Sequence, residues 1–382
     1  MHICFLNPPG EYYSPQSGGA IATIIMEMAR KLLSRGHRVS IVTSVNGDEI
    51  YSIGEILPIA IPTRKDMGLL ARAVSSLRRR LNGWDWPYYE YYRDATVATV
   101  RRLQPDAVIL FNDLVSSKYL RCALPRARIA VWLQNEWRTN YRDLHRSVAA
   151  TDVYLTCSYY IRLWTSRTHG IPTERFIIAP SGIDLEAFKP RTSFLKATPE
   201  LRVLFIGRID PNKGPDIAAD AVAALRRRGV NIQLTVAGGL WWYGHGREMD
   251  NPFFRQLKEK MEAAHACYLG HVPRSGVPEL LRAHDVVCVL SRSNEPFALV
   301  VLEAMASGCA VVASNRGGLP ESCGGAALLV DPEDMNAVED RLESLARTPA
   351  LLQRQKRRSI ERAARAPWSA CAEIVEKALT EK

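Results

Sequence analysis

Short runs of apolar, mostly β-branched residues alternate with amphipathic helical patterns along almost the whole chain of 382 residues. This alternation is typical of βαβ units, in which a helix crosses over the sheet and returns the chain parallel to the previous strand. We therefore predict an α/β protein built on parallel sheets. A chain of this length usually forms more than one domain, and two are expected here.

The first βαβ pattern opens at the amino terminus. It predicts a strand over 2–6, a loop rich in proline and glycine over 7–19 and a second strand over 39–43. The intervening helix carries one apolar stripe, formed by Ile21, Ile24, Ile25, Met28 and Leu32. Gly36 is placed to end that helix. Further strands are predicted over 107–111, 129–133, 153–157 and 176–179.

The same pattern starts again near residue 200. Strands are predicted over 202–206, 232–237, 267–269, 286–290, 310–313 and 327–330. Helices are predicted over 215–228, 253–264, 276–283, 298–307, 333–347, 349–365 and 368–380. The stretch between the two blocks, 180–196, is rich in proline, glycine and charge, which indicates a linker. We predict an N-terminal domain over 1–187 and a C-terminal domain over 188–366.

Charge and cysteine content restrict the classes of function. The formal net charge of +10 suits an anionic ligand, an anionic lipid surface or nucleic acid. No recognisable nucleic-acid-binding module is present, so we predict no nucleic-acid partner. The eight cysteines form no C-x-x-C pair, and neither a zinc nor a redox site is indicated. Those in apolar strands are predicted to be buried free thiols in a reducing compartment: Cys4, Cys157, Cys288 and Cys309.

No apolar run approaches the roughly 20 residues of a membrane-spanning helix. The most apolar stretch, 298–313, is interrupted by Glu303 and Gly308. The first strand follows the amino terminus without a leader-like segment, so the predicted location is the cytoplasm. The basic amphipathic pattern over 64–81 has two interpretations, peripheral contact with the inner face of an anionic membrane or ordinary packing on its own domain.

The most informative motif is Glu295-Pro-Phe-Ala-Leu-Val-Val-Leu-Glu303. Pro296 is typical of a helix start, so we predict that Glu295 precedes the helix and that Glu303 lies about two turns inside it. The free backbone N–H groups of a helix start bind phosphate through their hydrogen bonds and the helix dipole. These groups belong to Phe297, Ala298, Leu299 and Val300. Carboxylates instead accept hydrogen bonds from the hydroxyls of a sugar, so the motif predicts a sugar-phosphate site.

A second motif, Phe205-Ile-Gly-Arg208-Ile-Asp-Pro-Asn-Lys213-Gly-Pro, follows the end of a predicted strand. In open α/β sheets, ligands bind at the carboxyl ends of strands. Arg208 and Lys213 can therefore neutralise a diphosphate, and the arginine offers two parallel donors. The alternative interpretation is that both cations are solvated loop side chains without a ligand.

A third motif, Ser17-Gly18-Gly19-Ala20, opens the first helix. Glycines allow the backbone to approach a ligand at a helix start. A pair of glycines in this position is common and carries little weight alone.

The first of these motifs, together with its tail, resembles a known family. The tail reads Ala304-Met-Ala-Ser-Gly-Cys-Ala-Val-Val-Ala-Ser314 and ends in Gly317-Gly-Leu-Pro-Glu321. The whole stretch is similar to the retaining glycosyltransferases of family 4, also known as glycosyl transferases group 1. The resemblance implies the α/β fold called GT-B, in which two Rossmann-like domains face each other across a cleft and the last helix, here 367–382, joins the N-terminal domain.

The resemblance also implies roles for individual residues. It assigns Arg208 and Lys213 to the diphosphate of a nucleotide-sugar donor, Glu295 to the donor sugar and Glu303 to the ribose. It places the loop of Gly18 and Gly19 against the donor phosphate and the acceptor.

Further positions match the family's donor site. Gly238 follows a strand where that site begins, and His271 and Val272 lie in a segment that touches the base largely through its backbone. The side chain of His271 either reaches the base or is an exposed loop histidine.

One departure from the family pattern concerns the acceptor side. Many relatives carry a histidine after an N-terminal-domain strand, where this chain has Gln134, Asn135 and Glu136. These three are candidates to face the acceptor, and no acceptor-side base is assigned. The aromatic segments 84–92 and 241–246 either line substrate sites or pack structurally.

We expect the chain to move a sugar from a UDP- or GDP-sugar to an acceptor with retention of anomeric configuration, in the synthesis of a polysaccharide, glycolipid or other glycoconjugate. The acceptor is a carbohydrate, a lipid-linked molecule or a small molecule. No cofactor and no obligatory metal are expected, because no D-x-D pair occurs and Arg208 and Lys213 supply positive charge. The alternatives are a sugar-nucleotide epimerase or phosphorylase of the same fold, or an inactive sugar-nucleotide-binding protein.

Overall fold

The structure is a computed structural model. It describes residues 1–16, 19–45, 49–61, 86–138, 144–190, 200–240 and 250–381. The chain divides into two units. Unit 1 comprises Met1–Cys157, Ile161–Ala179 and Cys371–Lys382, and unit 2 comprises Ser158–Tyr160 and Pro180–Ala370. The proposed boundary between residues 187 and 188 stays a prediction.

Unit 1 is built on a seven-stranded sheet in the order β3-β2-β1-β4-β5-β6-β7, and every pairing is parallel. Its strands are β1 (His2–Leu6), β2 (Arg38–Val45), β3 (Glu55–Ala60), β4 (Ala107–Phe111), β5 (Arg128–Leu133), β6 (Val153–Thr156) and β7 (Phe176–Ile178). The central strands are buried on both faces, as parallel strands covered by helices must be. The strand order reverses between β1 and β4.

The helices of the first half of the chain are α1 (Ala20–Ser34), α2 (Trp86–Leu103), α3 (Ser117–Ala123), α4 (Leu144–Ala150) and α5 (Tyr159–His169). The predicted apolar stripe of α1 is confirmed, since all five of its residues are at most 2% exposed. Gly36 follows this helix with φ +84° and donates its N–H to the carbonyl of Leu33, which confirms its role in ending α1.

Unit 2 is built on a six-stranded parallel sheet in the order β10-β9-β8-β11-β12-β13. Its strands are β8 (Leu201–Ile206), β9 (Ile232–Ala237), β10 (Cys267–Gly270), β11 (Val286–Val289), β12 (Ala310–Ser314) and β13 (Leu328–Val330). The order reverses between β8 and β11, so the two sheets share one topology of the Rossmann type.

The helices of the second half are α6 (Pro215–Arg227), α7 (Pro252–Ala263), α8 (Val277–Arg282), α9 (Leu299–Ala306), α10 (Leu319–Cys323), α11 (Met335–Arg347), α12 (Pro349–Ala364) and α13 (Trp368–Thr380). The carboxyl-terminal part of α13 belongs to unit 1. There Glu376 accepts hydrogen bonds from Arg35 Nε at 2.5 Å and His37 Nε2 at 2.7 Å. These bonds, that of His37 foremost, lower the pKa of Glu376.

Two details differ from the sequence prediction. Strand β3 was not predicted. It contains Pro58, which a strand tolerates at a sheet edge, and β3 is such an edge strand that pairs with β2. Helix α9 begins at Leu299, one residue after the start of the predicted range 298–307, since Ala298 is still extended with φ −113° and ψ 107°.

The four cysteines predicted to be buried are buried and free. Burial raises the pKa of Cys288 and Cys309 to about 12. Among the described residues, no helix is long and apolar enough to cross a membrane.

Candidate functional site

The candidate donor site lies in unit 2 at the carboxyl edge of its sheet, meaning the edge at which the parallel strands end. The loop after β8 carries Arg208 and Lys213, and the loop after β11 carries Glu295. These two strands are neighbours at the point where the strand order reverses. Open α/β sheets bind ligands at this point, because the loops diverge there and leave a crevice.

Lys213 and Glu295 contact each other directly. Lys213 Nζ lies 2.6 Å from Glu295 Oε1, and Ser291 Oγ donates to the same oxygen at 2.7 Å. Glu295 is 8% exposed. The two donors, Lys213 and Ser291, hold its carboxylate at a fixed position. Within the described ranges, Glu295 Oε2 accepts no hydrogen bond, and this oxygen can receive a ligand hydroxyl.

The turn that carries Lys213 is rigidly built. Asp210 accepts a hydrogen bond from the backbone N–H of Asn212 at 2.8 Å and caps the 3-10 turn Pro211–Lys213. Arg208 Nε lies 3.5 Å from the carboxylate of the same Asp210. Both cations of the predicted motif are therefore placed by one short segment.

Arg292 adds a second support that the sequence did not reveal. Its guanidinium forms a bidentate pair with Asp216 at 2.9 and 2.7 Å and donates to the carbonyl of Pro211 at 2.6 Å. The hydrogen bond with Asp216 raises the pKa of Arg292. Because Arg292 and Asp216 lie 76 positions apart, no local pattern could have predicted the pair.

Glycines permit the close packing behind Glu295. Gly317 has φ +60°, and a Cβ at this position would lie 2.5 Å from the carbonyl oxygen of Glu295. A Cβ on Gly318 would lie 2.1 Å from the carbonyl oxygen of Pro296. The N–H of Gly318 donates to Glu295 O at 2.6 Å. The glycine pair at the end of the family-like motif therefore fixes the backbone that presents Glu295.

Helix α9 starts next to Glu295 without a side-chain cap. Ala298 occupies the N-cap position, and its side chain makes no capping hydrogen bond. The N–H of Ala298 itself bonds to Ser322 Oγ at 3.2 Å. Phe297, Leu299 and Val300 are half-buried. An uncapped helix start presents N–H donors and the positive end of the helix dipole, which together suit an anion.

Glu303 lies in α9 and is 4% exposed. It is the fifth residue of the helix, so it lies nearer the helix start than the predicted two turns. Arg274 Nη1 contacts Glu303 Oε1 at 2.6 Å, and the Arg274 guanidinium also lies over the ring of Phe188 at 5.0 Å. Sequence reasoning missed Arg274, whose position before α8 resembles that of any loop arginine.

The ends of β8, β9 and β10 lie close together. The N–H of Gly238 donates to Gly270 O at 2.7 Å, and a Cβ on Gly238 would lie 1.7 Å from the carbonyl oxygen of Gly207. Only glycine fits at this position. His271 is exposed, and Val272 packs against the apolar core of unit 2. These predicted donor-site residues thus share the carboxyl edge with Arg208.

The residues predicted on the acceptor side belong to unit 1. Gly19 is the N-cap of α1, with no side-chain cap, while Gly18 lies outside the described residues. Asn135 follows β5 and is exposed. The neighbouring Gln134 is 7% exposed, and its N–H donates to Asn112 Oδ1 at 2.7 Å.

Several predicted segments fall partly or wholly outside the described residues. The basic pattern over 64–81 and the aromatic stretch 241–246 are outside them. In the segment 84–92, Tyr89 and Tyr91 are 43% and 48% exposed, whereas Tyr92 is buried. The described ranges contain no group of three or more His, Cys, Asp or Glu side chains that could hold a metal ion.

Two family profiles match the chain. The profile of Glycosyl transferases group 1 matches residues 188–366, and that of Glycosyltransferase Family 4 matches residues 18–187. The segment 188–366 contains all the predicted donor-site residues of unit 2.

Curated relatives match over part of their length. The Putative glycosyltransferase YtcC of Bacillus subtilis is 24% identical over 245 residues, which are 60% of this chain and 60% of the relative. A D-inositol 3-phosphate glycosyltransferase of Pseudarthrobacter chlorophenolicus is 35% identical over 219 residues, 54% of this chain and 50% of the relative. The match therefore spans less than two thirds of either relative.

Solved structures match over nearly the full chain. Anabaena Alr3699/HepE in complex with UDP and glucose has a TM-score of 0.73 at 18% identity, covering 100% of this chain and 99% of that one. Sucrose-phosphate synthase from Thermosynechococcus elongatus has a TM-score of 0.73 at 19% identity, covering 98% and 97%. These likenesses show the GT-B fold.

Proposed function

Because the chain belongs to glycosyltransferase family 4, we propose that it transfers a sugar from a nucleotide-diphosphate sugar to an acceptor and retains the anomeric configuration. The observation that carries this proposal is the Lys213–Glu295 pair beside the uncapped start of α9. A cation, a carboxylate and free N–H donors at one crevice match the phosphate and hydroxyl groups of such a donor.

Lys213, Arg208 and the start of α9 bind the donor diphosphate in this proposal. Departure of the nucleoside diphosphate develops negative charge on the phosphate next to the sugar. Fixed cations and aimed N–H groups stabilise that charge in the transition state, where it is largest. With two cations and a helix start available, the proposed reaction needs no metal ion.

Glu295 and Glu303 bind hydroxyl groups in this proposal. Glu295 Oε1 stays with Lys213 and Ser291, while Oε2 accepts a hydrogen bond from the donor sugar. Glu303 shares its carboxylate between Arg274 and the ribose diol. The cation contacts position both carboxylates before the donor binds, which reduces the cost of ordering them.

Named relatives suggest substrates for a first assay. The solved structure of Anabaena Alr3699/HepE contains UDP and glucose, and one curated relative is a D-inositol 3-phosphate glycosyltransferase. A UDP-sugar is therefore the first donor to test and a cyclitol phosphate the first acceptor. The expected cytoplasmic location and the contact with an anionic membrane stay predictions.

The test is a panel of UDP- and GDP-sugars, incubated with and without acceptors, in which products are separated by chromatography. We expect release of nucleoside diphosphate from one donor, and Lys213→Ala lowers its turnover by about 10³-fold or more. Lys258→Ala is the matched control, because Lys258 lies on the surface of α7 and, within the described part of the chain, its one ion pair is with Glu262 at 3.9 Å. Wild-type turnover in Lys213→Ala would remove the diphosphate assignment, and an epimerised nucleotide sugar as the product would support the rival function.

A further inference from the structure

Glu303 is the one charged residue of α9, whose sequence is Leu-Val-Val-Leu-Glu-Ala-Met-Ala. Its neighbours Leu302, Ala304 and Met305 are fully buried, and Glu303 itself is 4% exposed. An ionised carboxylate in such surroundings is stable only when a counter-charge or hydrogen-bond donors replace the water that it has lost. Glu303 therefore depends on a partner that keeps it in the charged form, in which both of its oxygens accept hydrogen bonds.

Arg274 is that partner. Its Nη1 lies 2.6 Å from Glu303 Oε1, and among the residues that the structure describes this is the one ion pair of Glu303. The side chain of Arg274 is 36% exposed and that of Glu303 is 6% exposed, so the pair lies at the boundary between the interior of unit 2 and solvent. A ligand that arrives from solvent can therefore reach the pair.

Phe188 holds the guanidinium of Arg274 in place. The guanidinium lies 5.0 Å from the centroid of the Phe188 ring, which is within the range of a cation–π contact. Stacking of this kind fixes the plane of a guanidinium as well as its position. Phe188 is 4% exposed, and its N–H donates to Asp184 O at 2.9 Å. The ring is thus a fixed surface, and Arg274 lies against it while its Nη1 contacts Glu303.

The backbone around Arg274 is also fixed. Arg274 opens the 3-10 turn Arg274–Gly276, and the N–H of Gly276 donates to Pro273 O at 2.8 Å. Val272 packs against the apolar core of unit 2. By the family resemblance, the segment of His271 and Val272 touches the base of the donor nucleotide. Arg274 therefore joins the segment proposed for the base to the carboxylate proposed for the ribose.

A fixed carboxylate can distinguish ribose from deoxyribose. A ribonucleotide presents neighbouring 2′- and 3′-hydroxyl groups, whereas a 2′-deoxyribonucleotide presents the 3′-hydroxyl alone. Hydrogen bonds to a charged group are stronger than those between neutral groups, so loss of the 2′-hydroxyl weakens binding measurably. A carboxylate without its counter-charge takes up a proton or turns toward water, and the difference between the two sugars then shrinks.

We propose that Arg274, held by Phe188, is a positioning residue that makes the nucleotide site select ribonucleotides over 2′-deoxyribonucleotides. Arg274 keeps Glu303 charged and in place, so the 2′-hydroxyl meets a prepared acceptor. This inference rests on the proposed function, because a ribose reaches Glu303 only if the site binds a nucleotide-sugar donor. It adds to that function two residues that lie outside the motif of Glu295 and Glu303.

The test measures the Kd of UDP, 2′-deoxy-UDP, GDP and 2′-deoxy-GDP with the full chain by isothermal titration calorimetry. The discrimination ratio is the Kd of the 2′-deoxynucleotide divided by the Kd of the matching ribonucleotide. Arg274→Met removes the charge and keeps an apolar stem, Arg274→Lys keeps the charge without the planar fork, and Phe188→Leu removes the ring. The matched control is Arg347→Met, because Arg347 forms an exposed pair with Glu343 on α11 at 2.6 Å.

We expect a discrimination ratio of about tenfold or more in the wild-type protein, the size of one hydrogen bond to a charged group. The ratio should fall to about twofold in Arg274→Met and to about fourfold in Arg274→Lys and Phe188→Leu, and it should not change in Arg347→Met. The fall comes from weaker binding of the ribonucleotide, while the Kd of the 2′-deoxynucleotide changes by less than about threefold. Arg274→Lys and Phe188→Leu keep the test decisive if Arg274→Met does not fold.

Three results would overturn the inference: the wild-type protein binds both sugars equally, the ratio is unchanged in all three variants, or the variants weaken both nucleotides by the same factor. The last result would assign Arg274 a purely structural role. In each case nucleoside diphosphates still bind, so the proposed function survives. If neither UDP nor GDP bound to the wild-type protein and no nucleotide sugar were turned over, the proposed function and the inference would be rejected together.

Discussion

The carboxyl edges of the two sheets share one strand topology but differ in how their polar groups are paired. In unit 2 the charged groups are joined in short contacts, such as Lys213 with Glu295 and Arg274 with Glu303. In unit 1 the polar groups are mostly neutral amides, and buried atoms of Glu11 and Gln134 lack partners among the described residues. The two edges thus combine one strand topology with different pairing of their polar groups.

The largest effect is expected at the ion pair of unit 2. Glu295→Ala leaves Lys213 Nζ without its partner and removes the carboxylate from the donor sugar, so kcat/KM should fall by about 10³-fold, or about 4 kcal/mol of transition-state stabilisation. Steady-state kinetics with the donor found in the panel measures this change. If Glu295→Ala retained more than about a tenth of the activity, the charged edge would not be the donor site.

The glycine pair behind Glu295 gives the next effect. Gly317→Ala forces a Cβ against the Glu295 backbone at a position with φ +60°, and we expect a loss of about 3 kcal/mol in the free energy of unfolding together with lower turnover. Gly36→Ala is the matched control, since Gly36 has φ +84° but open space around its Cβ position. It should lose only about 1 kcal/mol and keep its activity. If urea unfolding gave equal losses of unfolding free energy for Gly317→Ala and Gly36→Ala, the Cβ contact with the Glu295 backbone would contribute nothing to the effect.

Glu11, at the carboxyl edge of unit 1, should make the free energy of unfolding depend on pH. The pKa of Glu11 is raised from 4.5 to about 7 by burial, so between these pH values the folded protein binds a proton that the unfolded chain has released. The stability contribution is therefore full below pH 4.5 and declines as the pH rises to about 7, by about 3 kcal/mol.

Urea unfolding from pH 5 to pH 8 measures this decline. Glu11→Gln should flatten the curve, while Glu55→Gln should keep it, because hydrogen bonds from Arg38 and Ser40 lower the pKa of Glu55 and its titration lies below this window. A decline of the same size in Glu11→Gln would mean that another group titrates.

The smallest effect is expected at the support of the Lys213 turn. Arg292→Ala removes the bidentate pair with Asp216 and the bond to Pro211, and we expect the donor KM to rise by about tenfold with a smaller change in kcat. Arg228→Ala, which breaks a surface pair with Glu339, is the control. If Arg292→Ala left the donor KM unaltered, the turn that carries Lys213 would keep its position without the Arg292 contacts.

The two edges also differ in how far the sequence predicted them. The unit 2 edge was predicted because its chemistry is contained in short motifs, with Arg208 and Lys213 in one loop and Glu295 directly before a helix start. The pairs Arg274–Glu303 and Arg292–Asp216 were missed, because each joins residues that are distant in sequence. The start of α9 was predicted within one residue, while its close contact with Gly317 and Gly318 was not, because those glycines lie in another loop.

The unit 1 edge was predicted only in part. Gln134, Asn135 and Glu136 were named as candidates because they occupy the position where many relatives carry a histidine. Glu11 was not named, since a glutamate in a loop rich in proline and glycine is ordinarily exposed. In the structure, Asn7 Nδ2 donates to the carbonyl of Glu11 and Tyr92 donates to the carbonyl of Asn7, and the bond from Tyr92 crosses a distance in sequence that no local pattern reveals. The strands themselves were predicted well, because buried parallel strands are continuous apolar runs.

The central claim is that the charged edge of unit 2 binds a diphosphate, and crystals of the protein soaked with UDP and, separately, with GDP test it most directly. The claim predicts diphosphate oxygens within about 3.2 Å of Lys213 Nζ, the Arg208 guanidinium and the backbone N–H groups of Leu299 or Val300. A diphosphate bound elsewhere, with the Lys213–Glu295 pair unchanged and no ligand at the start of α9, would contradict it.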